Sequence, residues 1–384
     1  MSSRQANRVF VGVTLLLFAA GWAANHFASV LVLIRSQLGV SSVLVNGAFG
    51  IYALGLLPCL LAGGILADRF GARYVVLTGG VISGLGNLSL LLFHEGQALL
   101  VGRFIVGLGV GLVVSAGTTW AGRLRGASGV TLAGIILTLG FAVGPIVASA
   151  LGLASISIGA LFAVSVGLSL IAVVVGWLMG DASGMPSTLG PATSQAPQRS
   201  MKKALAVSLP MAVWVFSCIT TSLIILSARA AQHFDNGILL PGVASVLAFS
   251  MGLIVQFLAR KFAWGRMSGV LGALFAAAGY GLGALGGAEL SVWKFIIASL
   301  LLGTAYGFCL REGLLGIETY TPIERRGTGI GIYYVFTYLG FGLPVLLDAL
   351  LPHVGAALPL FGLVALAIGS AVIRGVQIKR GYLV

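Results

Sequence analysis

The fold of this chain is decided by the stretch Gly64-Ile65-Leu66-Ala67-Asp68-Arg69-Phe70-Gly71-Ala72-Arg73. Its charges and glycines separate two apolar runs, 43–66 and 74–93, and each run is long enough to cross the hydrocarbon of a bilayer. A short, basic, glycine-containing loop between two such runs is typical of the cytoplasmic side of a membrane protein. The stretch therefore predicts two membrane helices that are joined by a tight inner loop.

The composition extends this prediction to the whole chain. Only 8% of the 384 residues are charged, 58% are hydrophobic, and the mean hydropathy is +1.08, which a soluble domain could not carry. Apolar stretches of about 20 residues span about 30 Å of hydrocarbon. We expect an all-α integral membrane protein with twelve transmembrane helices, at residues 9–34, 43–66, 74–93, 98–121, 128–151, 157–178, 204–228, 238–259, 268–287, 292–317, 328–350 and 354–374.

The net charge of +13 has a strongly asymmetric distribution along these helices. Most of the Lys and Arg residues fall at helix ends on the side of the N-terminus, whereas Arg35, Arg229 and Lys294 fall at the opposite ends. This asymmetry predicts a multi-pass protein of the inner or plasma membrane with both termini in the cytoplasm. The basic charge then reflects topology, and we expect no nucleic-acid partner. The first run lacks a small-residue cleavage site, so we expect it to remain as a helix.

A polar segment divides the chain into two similar halves. Residues 179–203 are rich in Gly, Ser, Pro and Gln and predict a flexible cytoplasmic linker between six-helix bundles at 1–178 and 204–384. Three elements of the first half recur in the second: Gly107-x-x-x-Gly111 as Gly303-x-x-x-Gly307, Leu139-Gly140-Phe141 as Leu339-Gly340-Phe341, and Leu66–Phe70 as Leu258–Phe262. In the last of these, Arg260 replaces Asp68. Such a repeat predicts two pseudo-symmetric bundles.

The 64–73 stretch resembles the signature Gly-x-Leu-Ala-Asp-Arg-x-Gly-x-Arg of the major facilitator superfamily, and every signature position is filled. With the repeat, the resemblance covers essentially the whole chain. It implies two six-helix bundles that rock around a central substrate site, and a conformational latch at their inner ends. The latch candidates are Gly64, Asp68, Arg69, Gly71 and Arg73, with both arginines as partners of Asp68. A basic loop that only sets the topology is the alternative.

Two further elements resemble motifs of the twelve-helix drug:proton antiporter group in this family. Arg103 precedes a Gly-x-Gly-x-Gly run, and the corresponding arginine is associated with proton coupling in exporters; snorkelling toward the outer interface is the alternative. Gly140, Gly144 and Pro145 resemble the Gly-x-x-x-Gly-Pro element of such exporters and predict a hinge or packing site. In the family this element continues to two further glycines, and here Ala148-Ser149 or Ser149-Ala150 stands in their place, so a plain packing kink is equally open.

Arg311 and Glu312 lie well inside the tenth predicted helix, where charges are functional by default. Adjacent positions point about 100° apart on a helix, so we expect the two side chains to reach different partners. Arg311 shares a face with Thr304, Gly307 and Phe308, which suits a water-filled cavity. The alternative is that this helix ends early and exposes both charges at the cytoplasmic surface.

Two helices carry polar and aromatic residues at helical spacing. The eleventh has Tyr334, Tyr338, Phe341, Val345 and Asp348 on one face, and the first has Phe18, Trp22, Asn25, His26 and Ser29. The predicted cavity residues are Trp22, Asn25, His26, Arg311, Glu312, Tyr334 and Tyr338, and the proton-coupling candidates are His26, Arg103, Glu312 and Asp348. For Asp348 an ordinary solvated acid remains open, and for His26 a histidine that is only hydrogen-bonded within the bundle.

The sequence contains no nucleotide-binding loop, metal-ligand cluster or nucleophile with base and acid at usable spacing, and Cys59, Cys218 and Cys309 are single and widely spaced. We therefore expect a monomeric, non-enzymatic secondary transporter of a small molecule, with no cofactor and a proton gradient as energy source. The substrate is expected near the midplane among the first, fourth, seventh, tenth and eleventh helices. Proton-coupled export of an amphiphilic or drug-like compound is preferred. The alternatives are uptake or facilitated diffusion of a small organic anion, a non-transporting receptor or assembly factor, and a membrane enzyme.

Overall fold

The structure, a computed structural model, describes residues 3–154, 156–180, 199–322 and 325–383, and within these residues all regular structure is helical. The prediction of an all-α membrane protein with twelve spans is confirmed. Numbered in chain order, the spans are α1 Gln5–Leu38, α2 Val43–Phe70, α3 Ala72–Leu92, α4 Gly96–Gly126, α5 Ser128–Leu153, α6 Ile158–Leu178, α7 Met201–His233, α8 Gly237–Lys261, α9 Ser268–Leu285, α10 Val292–Tyr320, α11 Thr328–Val354 and α12 Leu358–Lys379.

The chain forms two compact units, residues 1–193 and 194–384, which we call unit 1 and unit 2. Unit 1 contains α1 to α6, and unit 2 contains α7 to α12. Most of the predicted linker, residues 181–198, lies outside the described residues. The predicted end of the linker is wrong, because α7 already begins at Met201 and therefore includes Lys202 and Lys203.

The prediction also misplaced the boundary between α11 and α12. It ended the eleventh helix at residue 350 and began the twelfth at 354, whereas α11 continues to Val354 and α12 begins at Leu358. Gly355 accounts for the difference. Its φ of 73° lies in the left-handed region that favours glycine, and a residue of this kind commonly ends a helix.

Three spans in the described part of the chain are irregular near their middle. α1 is formed by two helices that meet at His26, Ser3–Asn25, which begins two residues before the span, and Phe27–Leu38. α7 changes to a π-helix over Thr221–Leu226, and α11 changes to a 3₁₀-helix over Leu339–Gly342. The last carbonyls before a helix end have no intrahelical donor, so an interrupted span depends on donors from its neighbours.

Glycines bring equivalent helices together in the two units. In unit 1, α4 approaches α2 at Gly107 and Gly111, where an added Cβ would overlap the α2 backbone. In unit 2, α10 approaches α8 at Gly303 and Gly307, with the same consequence. Small residues permit such close contact between membrane helices. These are the two pairs that the sequence repeat aligned, so the repeat predicted equivalent helix contacts.

Candidate functional site

The acid of the 64–73 loop pairs with an arginine that the sequence prediction did not include. Asp68, in the last turn of α2, forms an ion pair with Arg123, near the end of α4. The prediction that Arg69 and Arg73 are its partners is wrong, because the glycine contacts between α2 and α4 bring the ends of these two helices together. Both paired side chains are exposed, at 70% and 39%, so the pair adds at most about 1 kcal/mol of stability.

The two arginines of the loop have other contacts. The Arg69 guanidinium lies 5.4 Å from the ring centre of Phe70. Nη2 of Arg73 donates to the carbonyl oxygen of Trp177, near the end of α6, over 2.8 Å. Arg73 thereby connects the first turn of α3 with the last turn of α6, and it takes no part in the ion pair of Asp68.

The two glycines of the predicted latch differ in importance. Gly71 has a φ of 90°, which other residues rarely adopt, at the junction of α2 and α3. An added Cβ at Gly64 would meet only Oγ of Ser115, at an ordinary 3.8 Å, whereas at Gly63 it would lie 2.9 Å from Cβ of Ser115. The close approach of α2 to α4 therefore depends on Gly63 and not on the latch candidate Gly64.

Arg103 lies inside unit 1 and has no exposed surface. Its Nη1 and Nη2 donate to the carbonyl oxygens of Ala23 and Ala24, each over 3.0 Å, and its Nε donates to that of Ala48 over 3.4 Å. Ala23 and Ala24 are in the last turn before α1 is interrupted at His26, where carbonyls have no intrahelical donor. Arg103 therefore supplies the donors that the interruption of α1 requires.

Aromatic rings complete the surroundings of the Arg103 guanidinium. Its Cζ lies 4.6 Å from the ring centres of Phe27 and Tyr52 and 5.9 Å from that of Phe49. An aromatic face at such a distance attracts a cation. The alternative of snorkelling to an interface is wrong, because helices enclose the side chain. The role of Arg103 in proton coupling stays a prediction.

Unit 2 has a serine at the repeat position of Arg103. The alignment of Gly107 with Gly303 places Ser299 of α10 at this position, and Oγ of Ser222, in the π-helix of α7, donates to Oγ of Ser299 over 2.9 Å. The interrupted spans α1 and α7 are thus each contacted from the same position of a repeat helix, by an arginine in unit 1 and by a serine in unit 2.

The predicted polar face of α1 lies against α5 and α6 of unit 1. Three of its side chains donate to these helices: Trp22 to the Ser165 hydroxyl, Asn25 to the Phe141 carbonyl and Ser29 to the Pro145 carbonyl. The three donors are buried, whereas an open cavity wall was predicted. Helix packing within unit 1 is the physical reason for this difference.

His26 lies at the interruption of α1 and is fully buried. Its Nδ1 lies 3.0 Å from the carbonyl oxygen of Trp22, and its ring meets the Phe162 ring edge-on with the centres 5.7 Å apart. In the described part of the chain its Nε2 has no hydrogen-bond partner. The geometry therefore agrees both with a structural histidine and with a proton carrier, the two alternatives that the sequence left open.

The Gly-x-x-x-Gly-Pro element places α5 directly on α1. An added Cβ at Gly140 would overlap the carbonyl oxygen of Phe18, and at Gly144 it would lie 3.1 Å from that of Trp22. The carbonyl of Pro145 accepts a hydrogen bond from Ser29 over 2.8 Å. The element is a packing contact in this structure, and its role as a hinge stays a prediction.

Three charged side chains meet in the membrane-spanning part of unit 2. Nη1 of Arg311 donates to Oε1 of Glu312 over 2.5 Å, and Nη2 of Arg374 donates to Oε2 over 3.1 Å. Arg311 also donates to the Ala259 carbonyl of α8, and Arg374 to the Val207 carbonyl of α7. We call Arg311, Glu312 and Arg374 the Glu312 cluster. It has two positive formal charges and one negative, and it connects α7, α8, α10 and α12.

One prediction about these residues is confirmed in part, and another is wrong. Arg311 and Glu312 reach different partners, the Ala259 carbonyl and Arg374, but they also bond to each other, because long side chains at adjacent positions can turn toward one another. The α10 face that Arg311 shares with Gly307 packs against Gly252 of α8, where a water-filled cavity was expected. The alternative of an early helix end is excluded as well, since α10 continues to Tyr320.

The Glu312 cluster is unevenly exposed, and one of its members was missed. The side chain of Arg311 is 19% exposed, that of Glu312 7% and that of Arg374 3%. From the sequence, Arg374 is predicted to be one of the basic residues at the inner helix ends. The available signal was its position between apolar residues on both sides, at 371–373 and 375–376.

The aromatic face of α11 packs against Phe216 of α7, which in turn contacts α10. The Tyr338 ring centre lies 4.5 Å from that of Phe216, 5.5 Å from that of Phe341 and 6.3 Å from that of Tyr334. Phe216 also lies 6.3 Å from Tyr306 of α10. We call these five residues the aromatic cluster. The prediction identified its members on α11 and missed those on α7 and α10.

Asp348 interacts electrostatically with Arg229, near the end of α7. The guanidinium of Arg229 also donates to the carbonyl oxygens of Gly287 and Ala356, over 3.1 and 3.0 Å. The role of Asp348 in proton coupling stays a prediction.

Twelve spans in two units with equivalent helix contacts define a membrane transporter that is built from repeats. Residues 13–345 match the family model described as Major Facilitator Superfamily. The chain therefore belongs to the major facilitator superfamily, as the 64–73 signature predicted. It is a transporter of the secondary kind and not an enzyme.

Two curated relatives and one solved structure are similar to parts or all of this chain. Multidrug resistance protein MdtL of Klebsiella pneumoniae is 37% identical over 78 residues, which are 20% of each chain. The 3-(3-hydroxy-phenyl)propionate transporter of Escherichia coli is 32% identical over 138 residues, 33% of this chain and 32% of the relative. A crystal structure of the peptide transporter POT, in a mutant form, has a TM-score of 0.79 at 14% identity, with 100% of both chains covered. At such identity the structure shows the fold alone.

Proposed function

We propose that this transporter carries a small organic anion with an aromatic or other flat apolar part. The observation that supports the proposal is the charge of the Glu312 cluster, in which two guanidinium groups share one carboxylate within the spans. An unbalanced charge in a membrane protein is costly and marks a substrate or ion pathway. An anionic cargo balances this charge, whereas a cationic one adds to it.

Arg311 is the member of the cluster that we assign to the cargo. Its side chain is the most exposed of the three, at 19%, while Arg374 is enclosed and also bonded to the Val207 carbonyl. A guanidinium can bind a carboxylate through two parallel hydrogen bonds, which gives both strength and orientation. In this assignment Arg374 keeps Glu312 in place, and Arg311 exchanges Glu312 for the carboxylate of the cargo.

The aromatic cluster supplies the apolar part of the proposed site. Aromatic side chains favour flat apolar ligands because rings stack at centre distances of about 4.5–7 Å. The similarity to the 3-(3-hydroxy-phenyl)propionate transporter supports an aromatic carboxylate, although it covers 33% of this chain. The proposed cargo therefore carries one carboxylate and one aromatic ring.

Proton coupling follows from the competition for Arg311. When Glu312 takes up a proton, its ion pair with Arg311 is lost and the guanidinium becomes available to an anion. Proton and anion then bind together, so a proton gradient drives the anion in the same direction. Asp68 and Arg123 both belong to unit 1, and we propose that their ion pair acts as a latch by holding the inner ends of α2 and α4 together. The excess of basic residues on one side supports cytoplasmic termini.

The proposal is tested with purified protein in liposomes. Three probes share a ring and differ in charge: 3-phenylpropionate, its neutral amide and 3-phenylpropylamine. With an imposed pH gradient we expect carboxylate accumulation on the alkaline side that protein-free liposomes do not show, and no protein-dependent movement of the amine. Movement of the amine alone, or of none of the probes, contradicts the proposal; the latter outcome supports a non-transporting receptor.

Proton-coupled export of an amphiphilic drug-like compound is the second candidate. It is supported by the similarity to the multidrug resistance protein MdtL and by the exporter-like element at Gly140, Gly144 and Pro145, which contacts α1. The same liposomes distinguish the candidates when they are loaded with a fluorescent amphiphilic cation. Efflux of the cation driven by a pH gradient, without carboxylate movement, establishes the second candidate in place of the first.

A further inference from the structure

A shallow apolar groove lies on the surface of unit 1 between α3 and α6. Its volume is about 380 Å³, and its walls include Leu77 and Val81 of α3 and Val174 and Trp177 of α6. Val81 is 46% exposed, Val174 45% and Trp177 63%. Because both helices are membrane spans, the groove opens toward lipid.

One end of the groove is polar and basic. Arg73 and Tyr74 lie four residues before Leu77 and Thr78, so they continue the groove by one helical turn. Arg73 uses one donor on the Trp177 carbonyl, while its buried Nε has no partner among the described residues. Tyr74 is 65% exposed. A cation and a hydroxyl group therefore lie at one end of the apolar groove.

The start of α3 adds to this polar end. The helix begins at Ala72, and its N-terminal neighbour Gly71 has no side chain to cap the first N–H groups. Unbonded N–H groups and the helix dipole favour an anion at such a position.

We propose that this groove binds one anionic phospholipid. An acyl chain lies along Val81, Val174 and Trp177, and Arg73, Tyr74 and the first turn of α3 bind the phosphate. A zwitterionic lipid fits the same walls but gains less from Arg73, because a basic residue near an anionic lipid surface contributes about 1 kcal/mol. The site is distinct from the Glu312 cluster, which belongs to unit 2.

Unit 2 has a groove of similar make-up on its last span. Its volume is about 300 Å³, and it is lined by Val372 and Val376 together with Gln377, Arg380 and Tyr382. An arginine and a tyrosine thus stand at one end of an apolar wall in this unit as well. The recurrence supports the proposal and also provides a matched control.

Trp177 reports directly on the occupant of the first groove. The protein is placed in phosphatidylcholine bilayers that contain a small fraction of either dibrominated phosphatidylglycerol or dibrominated phosphatidylcholine. The difference between the wild type and Trp177→Phe isolates the quenching of this tryptophan. We expect the anionic lipid to quench Trp177 at about fivefold lower fraction than the zwitterionic lipid, the ratio that about 1 kcal/mol corresponds to.

Charge variants decide whether Arg73 causes this preference. Arg73→Gln should remove it, Arg73→Lys should retain most of it, and Arg380→Gln, which removes the same charge from unit 2, should leave it unchanged. Equal quenching by both lipids in the wild type overturns the proposal, as does an unchanged preference in Arg73→Gln. Loss of the preference on addition of inorganic phosphate alone identifies an anion site without a lipid and also overturns it.

Discussion

Arg374 of α12 donates to Glu312 of α10 over 3.1 Å, although the two residues are 62 positions apart in the sequence. Arg311 donates to the other oxygen of the same carboxylate. One acid therefore holds two guanidinium groups in the membrane-spanning part of unit 2. The proposed anionic cargo depends on this excess of positive charge.

Arg374→Gln should lower the stability of the protein by about 2 kcal/mol, because the buried Glu312 loses one of its charge-assisted hydrogen bonds. Thermal unfolding in detergent measures the change as a lower midpoint. Arg380→Gln, an exposed charge six positions later, should leave the midpoint nearly unchanged. The double variant Arg374→Gln with Glu312→Gln should be less destabilised than the sum of the single variants. Strict additivity would contradict direct coupling of the pair.

Arg103→Lys should destabilise unit 1 by about 2 kcal/mol, although it keeps the charge. The guanidinium of Arg103 donates from two nitrogens to the carbonyl oxygens of Ala23 and Ala24, and a single ammonium group cannot reproduce this geometry. Buried carbonyl acceptors therefore lose their donors. The exposed Arg8→Lys is the matched control, with no expected change. An unfolding midpoint of Arg103→Lys equal to that of the wild type would show that the interruption of α1 does not depend on these two guanidinium hydrogen bonds.

Gly140→Ala and Gly134→Ala should change stability in opposite directions. An added Cβ at Gly140 overlaps the α1 backbone and should cost about 2 kcal/mol, as overpacking does. At Gly134, on the same helix, nothing lies within 4 Å, so alanine should stabilise by about 0.5–1 kcal/mol. Chemical denaturation of both variants measures the two changes in the free energy of unfolding. Equal effects at the two positions would refute the assigned contact.

Asp68→Asn should slow turnover more than it weakens cargo binding, since the proposal makes this residue part of a latch. Its ion partner is Arg123, so Arg123→Gln should have a similar effect, and the double variant should be no slower than either single one. Stability should change by less than about 1 kcal/mol, because both side chains are exposed. The transport rate and the cargo dissociation constant of each of the three variants test the latch role. Full transport velocity in Asp68→Asn would remove the latch role.

The fold could be predicted from the sequence because its signals are local or repeated. Span length follows from hydrophobicity, and the aligned glycine pairs Gly107–Gly111 and Gly303–Gly307 make equivalent contacts in the two units. The partner of a side chain on another helix was much harder to predict from the sequence. Asp68 has two arginines within five residues in sequence, yet its partner Arg123 is 55 positions away.

The candidate site was predicted only in part for the same reason. Glu312 and Arg311 were conspicuous as charges in an apolar run, whereas Arg374 was not recognised as buried, since helix ends in membrane proteins commonly carry arginine. Spacing placed Trp22 and Asn25 on one face of α1 but did not reveal that α5 and α6 cover this face. Helical spacing gives a direction and not the neighbour that lies there.

The central claim is that an anion and a proton bind together because both act on the pair of Arg311 and Glu312. Titration calorimetry of 3-phenylpropionate into the purified protein, in buffers of different ionisation enthalpy, measures proton uptake directly. We expect uptake of a proton with each carboxylate bound in the wild type, carboxylate binding without proton uptake in Glu312→Gln, and strongly weakened binding in Arg311→Gln. Binding of the carboxylate without proton uptake by the wild type, or with unchanged affinity by Arg311→Gln, would contradict the claim.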